Sequence, residues 1–269
     1  MQTTTVPNQS LFLTKVGGKI ASILLNPLRA AHLFSSYIQS LSFFAATDRF
    51  SAQKLTYRDV PFFCRRHDWV AVDEVLLHEE YKFALAAIQN ISAPLCLDLG
   101  ANIGAFAIYC FSEFPNAQII SVEPARDTFD ILSRTKLENA KLNWRCVHAA
   151  ISAEPGTLYL NRGGASSAHF VDAQGDGESV TALSMSQLIA SINTSTEIDL
   201  VKMDIEGSEG PVLLGDSSFL QRVRNIVIEM HPEKVDQAKL ESVLRTYFSR
   251  ICRAPNLRKS SKPLLLCSR

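Results

Sequence analysis

The chain reads as an α/β protein: a mostly parallel sheet with helices on both faces, preceded by a mainly helical N-terminal region. Three observations predict this. From Pro94 onward, short continuous apolar runs alternate with helix-like segments, the pattern of strands buried on both faces and joined by crossover helices. The first run, Leu95–Leu99, passes straight into a glycine-bearing turn, Gly100-Ala101-Asn102-Ile103-Gly104, and then into a fresh helical stretch. At 269 residues the chain is long enough for one such domain with an appendage.

Taken in order, residues 1–47 read as helices. Residues 48–93 read as a lead-in with short strands at Lys54–Tyr57 and Trp69–Val72 and a helix over Val75–Gln89. Residues 94–269 form the sheet domain. Its strands are expected at Leu95–Leu99, Gln118–Val122, Asn143–Val147, Asp199–Asp204 and Asn225–Met230. Helices fit over Gly104–Phe111, Asp127–Leu137, Met185–Ser191 and Pro211–Leu220. Between the third and fourth strands, Gly156–Leu160 reads as a short strand and Asn161–Glu178, rich in Gly, Ser, Ala and Asp, as a loop long enough to be a lid. Tyr247–Ala254 and Pro263–Ser268 read as a terminal hairpin that closes the sheet.

Composition narrows the function classes. With 27 basic and 27 acidic residues, the chain is not built to grip nucleic acid through its phosphates. The six cysteines are scattered, show no CxxC spacing and mostly sit in apolar runs, as buried thiols do in a reducing, cytoplasmic setting. The opening residues lack a basic n-region and an apolar core of secretory length, and Ile20–Ala46 is interrupted by Pro27, Arg29 and His32, so no membrane span is expected. Residues 1–47 nonetheless hold Lys15, Lys19 and Arg29 and no acid. Two readings stand: a basic amphipathic helix lying on an anionic bilayer, giving membrane association, or a helix packed on its own domain or on a second subunit of a homo-oligomer.

Two constellations carry chemistry. At the first, glycines let the backbone turn tightly and approach a ligand, but the acid Asp98 at the strand end suits a ligand that is cationic or rich in hydroxyls better than a pyrophosphate. S-adenosylmethionine is both. Glu123, followed by Pro124, ends the next strand roughly 20 residues on, where an acid accepts the ribose hydroxyls of a nucleotide. The second constellation is Asp199-Leu200-Val201-Lys202-Met203-Asp204-Ile205-Glu206-Gly207-Ser208-Glu209. Ionisable groups recur at 202, 204 and 206, which on a strand share one face, and a lysine inside a parallel sheet needs a carboxylate partner. The adjoining strand delivers Glu229 and His231 to the same edge. A plain salt-bridge network is the structural alternative. A divalent ion on Asp204, Glu206 and Glu229 is chemically allowed and ranks below a metal-free site. The Gly17-Gly18-Lys19 run lacks the rest of a P-loop, and no GxSxG or zinc-helix motif occurs.

With both constellations in hand, the chain resembles the FkbM family of S-adenosylmethionine-dependent methyltransferases. The residues that carry the resemblance are Leu97–Gly104, Val122-Glu123-Pro124, Asn139, and above all Val201–Glu209 with Ile228-Glu229-Met230-His231. It covers roughly residues 70–231, and Met203 stands where the family usually has an aliphatic residue. The resemblance implies a Rossmann-like seven-stranded methyltransferase sheet, mostly parallel with the last strand reversed. It also implies methyl transfer to a hydroxyl of a sugar, glycan or glycolipid, or alternatively of a polyketide-like or other secondary-metabolite alcohol.

Mapped onto this chain, Asp98, Gly100, Ala101, Asn102 and Gly104 line the methionine side of the cofactor, Glu123 and Pro124 its ribose, and Ala150 its adenine. From the resemblance alone, Glu80 and Tyr81 cover the methionine end. For the acceptor, Asp204 and His231 are the candidate bases, Glu206 and Glu229 orient them or bind hydroxyls, and Lys202 holds the acidic group together. A nicotinamide-dependent dehydrogenase is the rival enzyme, but its G-x-G-x-x-G fingerprint is absent. A non-catalytic binding module is the rival outside enzymes.

Overall fold

The computed structural model describes residues 27–161, 170–172, 177–192, 196–254 and 262–269. Of residues 1–47, the described part is helical at 27–33 and over α1 (Tyr37–Ala45), which Ser36 caps by accepting a hydrogen bond from the Gln39 amide. The remainder of that helical expectation lies outside the described residues. No helix among the described residues is long and apolar enough to cross a membrane.

The lead-in opens with an antiparallel hairpin, β1 (Ala52–Tyr57) and β2 (Val60–Arg65). Its two turn residues, Arg58 and Asp59, both have positive φ, the geometry a tight two-residue hairpin requires. Trp69–Val72 is not a strand but a helical turn, α2. Trp69 and Val72 are both buried, three residues apart, and Trp69 meets the rings of Phe43 and Phe44 from α1 while Val70 is exposed. That is a helical burial pattern, and the apolar run alone does not distinguish it from a strand.

Nor is Val75–Gln89 one helix. A π turn over Asp73–Leu77 stops at Glu79, where φ is +50°, and α3 (Lys82–Ala86) starts afresh. The break turns Tyr81 inward against Phe106, and the Glu79 carboxylate is held by Arg58 and Lys82.

The sheet strands are β3 (Leu95–Leu99), β4 (Gln118–Glu123), β5 (Asn143–His148), β10 (Leu200–Met203), β11 (Asn225–Glu229), β12 (Arg250–Arg253) and β13 (Leu264–Ser268). They lie in the order β12-β13-β11-β10-β3-β4-β5, all parallel except β13. This is the mostly parallel, seven-stranded, last-strand-reversed sheet that the resemblance implied. On one face Leu97, Leu99, Val122, Val201 and Ile228 pack with α6 (Met185–Ala190), α7 (Glu209–Gly215) and α8 (Gln237–Leu244). On the other, Cys96, Ile119, Leu200 and Val227 pack with α4 (Ala105–Glu113), α5 (Arg126–Glu138) and the lead-in. The switch in strand order falls between β3 and β10, where open α/β sheets bind ligands at the carboxyl ends of their strands.

A second sheet, β6-β9-β7-β8, grows from the crossover after β5 and comprises β6 (Ala150–Ile151), β7 (Gly156–Asn161), β8 (Phe170–Asp172) and β9 (Glu178–Leu183). Asn161–Glu178 is therefore not one open excursion, because β8 returns to pair with β7. The rest of the expected lid lies outside the described residues.

Gly100 fastens the two central strands at their ends. A Cβ there would stand 1.8 Å from the carbonyl oxygen of Asp204, and φ is +73°. Gly100→Ala is expected to cost at least about 2 kcal/mol through backbone strain and overlap, read as a lower midpoint in urea unfolding relative to the parent chain.

Candidate active site

The glycine turn is held from below and from the side. The amides of Gly100 and Ala101 both donate to the carbonyl of Val122, at 3.0 and 2.9 Å. Glu123, at the end of β4, accepts from the Asn102 amide at 2.8 Å and from the Ala125 amide at 2.9 Å. Its carboxylate thus fixes the turn, and each oxygen keeps a lone pair for a further donor. Burial raises the Glu123 carboxyl to about 7, above the level that its two amide bonds and Lys202 would favour. Gly104 acts on the helix that follows. It caps α4 with φ +90°, and a Cβ there would press on Leu132 and Trp144 at 2.8–2.9 Å.

Beneath the turn runs a buried polar row, set by register. Lys202 stands opposite Asp98, and Asp98 opposite Ser121. The Lys202 ammonium lies 3.4 Å from an Asp98 oxygen and 3.8 Å from Asp204, and it donates to the Gly100 carbonyl at 2.6 Å. Trp144 donates to the Ser121 hydroxyl, which donates to Asp98. Burial pulls Lys202 down, but Asp98, Asp204 and Glu229 more than offset it, so it stays charged. The expected carboxylate partner of Lys202 is present, and the plain salt-bridge reading describes this row well.

The expectation that 202, 204 and 206 share a strand face is corrected. The strand stops at Met203, and Asp204–Ser208 form a turn in which Glu206 has φ +54°. Three contacts hold that turn. Glu209 accepts from the Ile205 amide at 3.0 Å, Lys234 donates to the Glu206 carbonyl at 2.8 Å, and Lys262 reaches the Glu206 carboxylate at 3.3 Å.

His231 is fully buried, with Nε2 3.2 Å from Glu206 and Nδ1 3.1 Å from Glu209, though neither nitrogen makes an aligned hydrogen bond. Burial lowers its pKa, but the two carboxylates outweigh that and push it up to about 10. An imidazole that holds its proton so firmly is poorly suited to accept another at neutral pH. Its surroundings favour a clamp on the 204–209 turn over the base role expected for it.

A cleft partly open to solvent, spanning about 940 Å³ of space with the open solvent at its mouth included, joins these parts. Its lining includes Gly100, Ala101, Asn102, Glu123, Pro124 and Ala150 from the glycine turn and its neighbours, Lys202, Asp204, Glu206 and Glu229 from the acidic constellation, and Glu80 and the buried Tyr81 from the lead-in. Of the residues singled out from sequence, Asp98, Gly104 and His231 do not face it. Asp98 and Gly104 support the wall from behind. Sequence reasoning passes over Glu74, Ser208 and Ile151 in the lining, and also Lys262, which lies 3.6 Å from Glu229. Lys262 carries no signal in the sequence, because only the closing hairpin brings it to the site; Glu209 stands in the acidic run but without an assigned role.

Within the cavity the acids differ. Burial, then the charge of Asp204, raises Glu229 to about 8, so it holds a proton at neutral pH. Burial also raises Asp204, against the pull of Lys202. Glu206 is lowered despite burial, because His231 and Lys262 stand beside it.

The strand order, the single reversed strand and a cavity at the topological switch define a Rossmann-like methyltransferase fold. Residues 98–253 match the methyltransferase FkbM domain, more than half the chain, and the chain belongs to that family. S-adenosylmethionine is the cofactor that goes with this membership. The methyltransferase sdnD of Sordaria araneosa is 28% identical over 187 residues, covering 57% of this chain and 72% of that protein. The hexuronic acid methyltransferase AglP of Haloferax volcanii is 28% identical over 166 residues, covering 58% and 65%. Among solved structures, magnesium protoporphyrin IX methyltransferase from Synechocystis PCC 6803 superposes with a TM-score of 0.43 at 13% identity, over 76% of this chain and 83% of that one.

Two outcomes follow from the buried charges. Lys202→Met leaves Asp98 uncompensated in the sheet and is expected to cost about 3–5 kcal/mol in denaturant unfolding. Glu123 binds a proton in the native state up to about pH 7, whereas its ordinary value is 4.5. The folded chain therefore holds more protons between these values, and this residue's contribution to stability falls as pH rises through the window. Glu123→Gln is expected to flatten the decline in melting temperature between about pH 5 and pH 7; an unchanged slope would place the titration elsewhere.

Proposed function

We propose that the chain transfers a methyl group from S-adenosylmethionine to a hydroxyl oxygen of a sugar-containing acceptor, a glycan or glycolipid. The observation that carries this reading is the polarity of one cavity. A glycine turn and the Glu123 carboxylate form one end, and Asp204, Glu206 and Glu229 form the other. The first end fits the cofactor: Gly100 lacks the Cβ that would fill the turn, and Glu123 has acceptor capacity for ribose hydroxyls. Ala150, beside Ala149 and Ile151, offers an apolar wall for the adenine. The second end offers several oxygen acceptors in a small space, which suits a ligand with many hydroxyls. The name of the AglP relative, a hexuronic acid methyltransferase, supports the sugar class.

When bound, S-adenosylmethionine supplies a methyl carbon on a positively charged sulfur; the chain's own residues supply alignment and proton removal. Asp204 is the general base of this proposal. It lines the cavity, and its raised pKa makes it a better proton acceptor than an ordinary aspartate. Glu229, which holds a proton at neutral pH, donates to an acceptor oxygen and fixes its orientation. Glu206, ionised beside Lys262 and His231, accepts from a neighbouring hydroxyl. Lys202 and His231 do not react; they fix Asp204 and the turn that carries Glu206.

Incubation with methyl-labelled S-adenosylmethionine and a panel of glycans, glycolipids and polyketide-type alcohols is expected to label a sugar hydroxyl. Label in a non-sugar alcohol alone would move the acceptor to the secondary-metabolite class. Nicotinamide dinucleotide binding without S-adenosylmethionine binding would overturn the reaction itself. Asp204→Asn is expected to lower kcat by about 10²–10⁴-fold with cofactor affinity retained; near-normal turnover would remove Asp204 from the chemistry.

A further inference from the structure

Behind the acceptor end of the cavity, buried polar atoms converge, and one oxygen on each of two carboxylates, Asp204 and Glu209, has no hydrogen-bond partner. Among the described residues, seven buried side-chain nitrogen or oxygen atoms make no aligned hydrogen bond, and four of them belong to one cluster: Asp204 Oδ1, Glu209 Oε2, and both ring nitrogens of His231, which are ion-paired with Glu206 and Glu209 at 3.2 and 3.1 Å. Glu209 and His231 are each 0% exposed. Buried polar groups are nearly always satisfied, and a group left without a partner costs about 1–3 kcal/mol. Several in one place call for a ligand. With Glu229 protonated, the carboxylates Asp98, Asp204, Glu206 and Glu209 are set against Lys202, Lys262 and the His231 imidazolium, which leaves one negative charge in excess. Both ammoniums already have carboxylate partners, and neither reaches Glu209 within ion-pair distance.

We propose that Asp204, Glu209 and His231 form a site for a divalent transition-metal cation. One donor atom from each lies within 4.8 Å of the others, a spread that an ion about 2.0–2.4 Å from each donor can bridge with small side-chain adjustments. A proton on the ring gives nothing to Asp204 Oδ1 or Glu209 Oε2, whereas a cation accepts electron pairs from both acids and from the ring, whose ligating nitrogen gives up its proton to solvent as the ion binds. One imidazole with two carboxylates is a donor set for Mn²⁺ or Zn²⁺ more than for Mg²⁺, which prefers oxygen throughout. The ligands come from the turn after β10, the first residue of α7 and the residue after Met230, so the ion would tie together the two loops that bear the acceptor end. This ligand set differs from the Asp204, Glu206 and Glu229 trio considered from sequence, because His231 and Glu209 lie behind the turn while Glu229 faces the cavity.

Asp204 belongs to both the cluster and the cavity wall. A cation on it would stand next to the acceptor and favour the alkoxide form of a nearby hydroxyl; that consequence rests on the methyl-transfer reading, and the binding itself does not.

The test uses the full chain, treated with chelator, dialysed and titrated calorimetrically with Mn²⁺, Zn²⁺ and Mg²⁺. One saturable site per chain is expected for Mn²⁺ or Zn²⁺, at least about tenfold weaker for Mg²⁺. Glu209→Gln and His231→Gln are expected to weaken it at least about tenfold. Pulsed electron paramagnetic resonance of the Mn²⁺-bound chain is expected to show ¹⁴N coupling from an imidazole, lost in His231→Gln. S-adenosylhomocysteine binding by each variant verifies that it is folded, and Asp204→Asn, changed at the partly exposed cavity wall, replaces any variant that is not. Absence of saturable binding, equal affinity in the folded variants, or no ¹⁴N coupling would overturn the site, whatever the methyl-transfer assay returns.

Discussion

A lysine buried in the middle of a parallel sheet organises this molecule. Lys202 is 5% exposed and Asp98 is 0% exposed, and a charge so placed is tolerated only when it is paired and its remaining donors are used. Pairing with Asp98 fixes the register of β10 against β3, and the bond to the Gly100 carbonyl fixes the turn that follows β3. The same ammonium faces Asp204, so one cation links the glycine-turn side of the cavity to its acidic side. The Trp144–Ser121–Asp98 hydrogen bonds extend this row to β4 and β5. The arrangement explains why Asp98 matters although it does not face the cavity: it sets the place from which the cavity's walls are hung.

Geometry at the other end is set by a strained turn. A non-glycine residue with positive φ costs energy unless its surroundings hold it, and Glu206 is held at its carbonyl by Lys234 and at its carboxylate by Lys262 and His231. This turn moves Glu206 off the strand line and toward the cavity. It also divides the acids by environment, leaving Glu206 ionised and Glu229 protonated at neutral pH although both line the same space. Such separation of like groups gives neighbouring carboxyls different roles.

Much of this is legible in the sequence. Continuous apolar runs locate β3, β4, β5, β10 and β11 to within a residue or two, and the run from Lys202 to Glu209 marks the densest chemistry. Local pattern fails where tertiary contacts choose between equal alternatives. Trp69–Val72 fits a strand or a helix by hydrophobicity, and the aromatic cluster of α1 selects the helix. The helix expected over Val75–Gln89 breaks because Tyr81 packs inward on Phe106. His231 reads as a base because its unperturbed pKa lies near neutrality; its two carboxylate neighbours, Glu206 on a turn and Glu209 at the start of α7, come from more than twenty residues away in the chain and push that pKa up to about 10.

By itself the sequence determined the class of fold, the family, and which residue types meet at the sheet's carboxyl edge. Those properties follow from periodicities of a few residues and from short motifs, and both are local. The tertiary structure alone decided which of these residues face the cavity and which stand behind it, that Lys262 joins them from the closing hairpin, and what proton each carboxyl holds. Exposure and charge environment are sums over neighbours remote in the chain, and no window of sequence contains them.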